Sequence, residues 1–447
     1  MTQPTAKALN RTILGVALPI AISNASVPLI GAVDTAVVGH MDTPVTIGAI
    51  AVGALIFSYV SWVFGFLRSG TTGLVAQADG AGDQAEVRAA LLRALGLGMI
   101  CGLVFVSLSG LVWQLASLLI APSGDVGGQA KAYFDIRLWG APATLANAAL
   151  TGWFFGKGKA GRGLVLQLYQ NGMNAVLDAL AVFWLGLGVE GVAAATIIAE
   201  WTALALGLAL ALPLFGKLRI GADTIARLRN VAALKETATV NGNMFVRSLI
   251  LTTAFGWVTA VSARQGDVIL AVNAILMHYL TISAYAMDGF AIAAERLIGK
   301  QVGGKDRAGA TRAMRFTASW AAGAAVLFAL GFGLFGTDLL RLMTSVPEVL
   351  DTAETYLWWV VIMPLAGVWC FQMDGFYIGL TDSRAMRNAM AFSFICYIGI
   401  WWVLTPIYGN DGLWAAFLSF LMIRGATLHL GLGRALDRKF ATSSLSS

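Results

Sequence analysis

The sequence predicts an all-α polytopic membrane protein, with twelve transmembrane helices in two pseudo-symmetric six-helix bundles. Three observations predict it: the composition, the length of the apolar runs, and a repeat at half the chain length. Of 447 residues, 58% are hydrophobic and 12% charged, where soluble domains average about 45–50% and about 25%. A mean hydropathy of +0.75 cannot be hidden in one water-soluble core, which excludes a soluble enzyme, a disordered chain and a disulfide scaffold. Several apolar runs reach the ~20 residues that span a bilayer. They lack the ~10-residue alternation of a membrane barrel.

Apolar stretches between charged residues and Gly, Pro or Asn punctuation place spans near 11–38, 47–76, 88–120, 128–156, 160–186 and 189–216 in the first half. In the second half they fall near 231–263, 267–298, 307–344, 347–379, 384–408 and 411–434. This divides the chain into an N-terminal bundle, 1–216, a basic linker, 217–230, and a C-terminal bundle, 231–447. The first apolar segment is long, carries polar residues and reads as a retained span, not a signal peptide. On this topology 23 of the 30 Lys and Arg residues lie on the side of the N-terminus. Lys131, Arg137, Arg264 and Arg341 lie on the other. The positive-inside rule then puts both termini in the cytoplasm.

The repeat is visible at an offset near 223. Thr151-Gly-Trp-Phe-Phe-Gly156 returns as Asp374-Gly-Phe-Tyr-Ile-Gly379, and Gly80-Ala-Gly-Asp83 as Gly303-Gly-Lys-Asp306. Ala8-Leu9 returns as Ala233-Leu234, Gly31-Ala-Val33 as Gly256-Trp-Val258, and Glu190-Gly-Val-Ala-Ala-Ala195 as Asp411-Gly-Leu-Trp-Ala-Ala416. Each match is weak alone, but all occur in the same order. Parallel repeats of this kind build transporters that hold cargo between repeats and alternate access by rocking.

Ionisable groups inside a membrane cost several kcal/mol unless paired, neutralised or wetted, so they are the first functional candidates. The acidic ones are Asp34, Asp178, Glu200, Asp288 and Asp374, with Glu295 nearer one end; the basic ones are Arg68, Arg247 and Arg424. Gln167, Asn171, Asn174 and Asp178 are spaced to share one face of the fifth span. That stripe fits an interhelical hydrogen-bond seam or a cation site. At the repeat offset the second half has Cys396 and Ile400 in place of Asn174 and Asp178, and Thr259 in place of Asp34. A carboxylate that only held a bundle together should recur, which favours a proton or cation site in the first bundle. Pro19 and Pro28 lie on the same span as Asp34, and each frees a carbonyl one turn earlier. The resulting kink is either static or the hinge of a proton-gated bend. Arg247, Asp288 and Asp374 form either a structural ion-pair network or a substrate-facing or gating group in the second bundle.

Other features carry less. Cys101, Cys370 and Cys396 have no ligand or disulfide spacing and read as small hydrophobes. His40, His278 and His429 form no metal set. The Gly156–Gly163 stretch is glycine- and lysine-rich but lacks phosphate-loop spacing, and reads as a short turn. The pI near 9.3 comes without a basic patch interleaved with aromatics, so nucleic acid is not expected as a partner. No nucleophile–base pair is recognisable.

Several segments together resemble the multidrug and toxic compound extrusion (MATE) transporters, in their DinF-type branch, over essentially the whole length. They are Leu18-Pro19 through Val33-Asp34-Thr35, and Ala76-Gln77 with Gly80-Ala-Gly-Asp83. In the second half they are Tyr285-Ala-Met-Asp288-Gly-Phe-Ala291, Trp369-Cys-Phe-Gln-Met-Asp374-Gly-Phe-Tyr-Ile-Gly379 and Met386-Arg-Asn-Ala-Met390. The resemblance implies a two-lobed exporter driven by protons or sodium, with a coupling site in the first lobe. It assigns Asp34, Asn174 and Asp178 to that site, Tyr133 and Thr196 to its hydrogen-bond partners, and Pro19 to the kink. Thr151 stands where some relatives have an Asn.

The expected function is secondary active efflux of lipophilic or cationic small molecules by antiport with protons, sodium at Asp34 and Asp178 being the alternative ion. A lipid-linked precursor flippase is the alternative reading. The chain is not expected to be an enzyme or to hold a cofactor or structural metal. It is expected to be a monomer in the bacterial inner membrane, with small-molecule substrates and the lipid bilayer as its partners.

Overall fold

The computed structural model describes residues 6–38, 44–120, 123–215 and 221–441, without the side chains of 25–36, 38, 44 and 119. Among these residues there is no strand, and nine helical stretches are long and apolar enough to cross a membrane. The helices are α1 (Ala6–Val38), α2 (Pro44–Phe64), α3 (Phe66–Gly80), α4 (Gln84–Ser107), α5 (Ser109–Ile120), α6 (Gly124–Arg137), α7 (Ala141–Gly156), α8 (Ala160–Ala179) and α9 (Val189–Ala211). A short α10 (Ala222–Leu228) follows, then α11 (Val231–Arg264), α12 (Asp267–Gly303), α13 (Arg307–Met343), α14 (Pro347–Gly379), α15 (Ser383–Tyr408) and α16 (Asn410–Ala441). Each of the twelve expected segments falls on a helical stretch.

Three expected spans are divided, for local reasons. Gly65 interrupts the second between α2 and α3, where its N–H bonds three residues back to Trp62, the tighter 3₁₀ pattern. The third breaks at Leu108. The fourth carries a 3₁₀ turn at Leu138–Gly140, just before Pro142 at the start of α7; proline has no N–H to continue the ladder. The fifth ends in a turn of π-helix, Leu180–Trp184. In contrast α1 is helical through Pro19 and Pro28.

The chain forms two compact units. One comprises Ile22–Val75 and Asp83–Thr237, the other Met1–Ala21, Ala76–Gly82 and Ala238–Ser447. In the first, Phe57, Phe105 and Phe134 pack ring against ring at 5.5–6.3 Å between centroids. In the second the core runs through Tyr397, Trp414, Phe417 and Phe420, all fully buried. The described part of the linker, 221–230, is docked: Arg88 Nε donates to Thr224 Oγ1 at 3.2 Å, and Arg227 pairs with Asp83 at 2.7 Å.

The duplication extends to backbone detail. Positive φ angles occur at Gly82 and Lys305, at Gly158 and Thr381, and at Gly186 and Gly409, each pair 223 residues apart. Asp83 and Asp306, at the same offset, cap α4 and α13 by accepting from Glu86 N and Gly309 N. A Cβ on Gly152 would lie 2.3 Å from the Arg68 carbonyl oxygen, and one on Gly375 2.4 Å from that of Ala291. Backbones therefore touch at equivalent places in both halves. The Glu190–Asp411 match lies two residues out of this register. The counterparts of Asn174 and Asp178 are Tyr397 and Trp401, not Cys396 and Ile400, because α8 and α15 also start 223 residues apart.

Candidate functional site

The stripe on α8 is turned inward. Asp178 is 2% exposed, and none of Gln167, Asn171 and Asn174 is fully exposed. Asn174 Nδ2 donates to Asp178 Oδ2, one turn on, at 3.0 Å, and to Thr196 Oγ1 of α9 at 3.1 Å. The Thr196 hydroxyl in turn donates to the Val192 carbonyl at 3.0 Å. One amide thus ties a buried carboxylate on α8 to α9. Tyr133, 4% exposed, approaches from α6 within electrostatic reach of Asp178. It lies against α2 at Gly53, where a Cβ would fall 2.2 Å from its ring; only glycine leaves room for the ring there.

Beside these residues lies a buried ion pair that sequence reading did not assemble. Arg137 makes a bidentate pair with Glu200, Nη2–Oε1 2.7 Å and Nη1–Oε2 2.8 Å. The side chains are 12% and 2% exposed. The guanidinium also hydrogen-bonds Tyr133 and stacks 4.8 Å over the Phe57 ring. A Cβ on Gly140 would lie 2.1 Å from Glu200 Oε2, so glycine is what lets the 3₁₀ turn close over the pair. Asn147 Nδ2 donates to the Glu200 carbonyl at 2.9 Å. Arg137, counted from sequence only as a positive charge on the side opposite the N-terminus, is thus buried and paired within this unit. Spacing held a signal: Tyr133 and Arg137, like Thr196 and Glu200, are four apart and share a helix face.

The site's remaining residues are distributed as follows. The side chain of Asp34 lies outside the described residues, so its relation to Asp178 is left to the expectation above. Pro19, on the half of α1 belonging to the other unit, is near Gly289 of α12: a Cβ on that glycine would lie 2.7 Å from the Ala17 carbonyl. Thr151 Oγ1 is used by its own helix, donating to the Asn147 carbonyl at 2.9 Å.

The second half holds a different polar group. Arg247 of α11 pairs with Asp374 Oδ2 of α14, and Arg424 of α16 lies 3.5 Å from the same oxygen. Arg424, 1% exposed, donates from Nη2 to Cys370 Sγ at 2.9 Å, so Cys370 is a polar partner and not merely a small hydrophobe. Asp288 is within electrostatic reach of Arg424. At the position equivalent to Asp178, Trp401 packs edge to face against Trp257 at 4.8 Å. Among the described residues no three His, Cys, Asp or Glu side chains form a metal-binding group.

A family model described as MatE matches residues 19–180 and again 244–405. DNA damage-inducible protein F of Escherichia coli (strain K12) is 38% identical over 412 residues, which are 92% of this chain and 89% of that protein. A probable multidrug resistance protein NorM of Deinococcus radiodurans is 28% identical, covering 96% and 95%. A solved structure described as the outward-facing conformation of a multidrug resistance MATE family transporter of the MOP superfamily superposes with a TM-score of 0.84 at 19% identity, covering 98% and 100%. With one model matched in each half and this identity over nearly the whole length, the chain belongs to the MatE family of multidrug and toxic compound extrusion transporters and is a transporter, not an enzyme.

Proposed function

We propose that the protein exports lipophilic or cationic compounds by antiport with protons, and that Asp178 and Asp34 are the coupling carboxylates. The observation that carries this is Asn174 joining a 2%-exposed Asp178 to Thr196. The Asn174 amide lies within hydrogen-bond distance of both Asp178 and Thr196, so a change in the charge of the carboxylate on α8 is transmitted to α9. The apolar Trp401 at the equivalent second-half position agrees with a site confined to the first half.

In this mechanism a proton from outside neutralises Asp34 or Asp178. The carboxylate then ceases to be a strong acceptor for Asn174, and Tyr133 and Thr196 re-pair. α1 bends near Pro19, which lies close to where that helix passes from one unit to the other. The outward cavity narrows and cargo leaves; the return to the inward-facing state releases the proton. At 100 mV each charge moved contributes ~2.3 kcal/mol, about 50-fold accumulation. Arg247, Asp288, Asp374 and Arg424 serve gating or cargo contact in the second half. The protein works as a monomer in the bacterial inner membrane with both termini cytoplasmic. The flippase alternative draws less support, because Arg247 and Arg424 are engaged with Asp374 and Cys370 and are not free for a phosphate.

The test is transport of a fluorescent cation in proteoliposomes, under a proton gradient alone and then a sodium gradient alone. Protons alone should drive it, and Asp34→Asn and Asp178→Asn should each abolish it while the protein still inserts. Full transport by either variant, or drive by sodium alone, rejects the proton assignment.

A further inference from the structure

Where the end of α14, the start of α15 and the end of α16 meet, they leave a side groove of about 370 Å³. Its floor is Tyr377 and Leu428, joined by a hydrogen bond from Tyr377 Oη to the Leu428 carbonyl at 2.8 Å. A Cβ on Gly431 would lie 2.9 Å from that Oη, so the missing side chain helps keep the groove open. The side walls are apolar and outward-facing: Phe392 is 54% and Leu430 76% exposed. Asn388, Arg434 and Arg438 form the rim.

The rim carries uncompensated positive charge. Arg438 pairs with Asp382 at 2.6 Å and Arg307 with Asp437 at 2.6 Å. Arg387 is engaged with Asn243 and Asn388. Arg434 is exposed and has no acidic partner among the described residues. The depth also fits. α15 starts at Ser383, and at 1.5 Å per residue Phe392 lies about 14 Å further along its axis. That distance crosses a headgroup layer and enters hydrocarbon. Polar Asn388 is on the outer part of this path and Phe392 on the inner.

We propose that this groove binds an anionic phospholipid of the surrounding bilayer, with its phosphate on Arg434 and an acyl chain along Phe392 and Leu430. A guanidinium matches a phosphate with two parallel hydrogen bonds, and an apolar wall beside it selects an amphiphile over a free ion. The proposal is independent of the coupling reaction.

The full chain in phosphatidylcholine nanodiscs, titrated with phosphatidylglycerol and read by native mass spectrometry, tests it. The wild type retains phosphatidylglycerol preferentially. R434Q, at an exposed position that does not threaten folding, weakens retention about fivefold, the effect of one basic residue near a membrane surface. A385L, which fills the groove without changing charge, weakens it as well, whereas R229Q, on an exposed arginine elsewhere, leaves it unchanged. Equal retention of the two lipids by wild type, equal losses in R434Q and R229Q, or unaltered binding by A385L overturns the proposal.

Discussion

Replacing Glu200 by glutamine removes the charge that compensates Arg137 inside the first unit. At 2.8 Å and an effective dielectric near 20, two unit charges attract by about 6 kcal/mol, most of which offsets the desolvation of both groups. Removing one partner leaves the other buried and unpaired, at a cost of about 3–5 kcal/mol. The pair's 12% and 2% side-chain exposures leave little room for water to relieve that cost. Thermal unfolding in detergent should therefore show Glu200→Gln and Arg137→Gln strongly destabilised. The double variant Arg137→Met with Glu200→Leu, which removes both charges, should recover most of the loss. Tyr133 loses its fixed partner in either single variant, so the pH profile of transport should also move. A Glu200→Gln protein as stable as wild type, with an unchanged profile, would refute the argument that the pair acts as one unit.

Other expectations follow from single contacts. Asp178→Asn should insert and unfold like wild type yet lose gradient-driven transport; a retained gradient response would contradict its coupling role. Gly152→Leu and Gly375→Leu should each destabilise by at least about 1–3 kcal/mol, because both glycines sit against a carbonyl of a neighbouring helix; a large difference between them in thermal unfolding would argue against equivalent packing in the two halves. Lys305→Gly should stabilise by up to about 1 kcal/mol, since Lys305 holds φ +57° where its counterpart is already glycine, and a loss of stability would show that its side chain matters more than its backbone. Asn273→Ala should cost about 1–3 kcal/mol without affecting transport, as the Asn273 side chain bonds Ser262, Asn410 and Trp414 at 2.7–3.0 Å among the described residues; impaired transport at unchanged stability would refute a purely structural role.

Class, span positions and duplication were legible in the amino-acid order because they rest on one-dimensional quantities: run length, punctuation and offset. A bilayer imposes a fixed thickness and demands that backbone groups be satisfied within helices, so hydropathy alone locates the spans. The α8 stripe was legible for a similar reason, since helical periodicity places Asn174 and Asp178 on one face whatever surrounds them. Their link to Thr196 came only through family resemblance, because the two residues lie on different helices.

What tertiary structure alone decided was pairing across helices and the local breaks within them. Charge counting placed Arg137 on one side of the membrane but gave it no partner, whereas in the fold a glycine at position 140 and a carboxylate 63 residues downstream enclose it. Arg424 and Cys370 were visible as residues but not as partners, since a charge in a membrane finds its complement in space and sequence distance says nothing of where that is. The register of the repeat, too, was settled by backbone geometry: left-handed turns recur 223 residues apart, even where the side chains, and with them the chemistry of the two halves, have diverged.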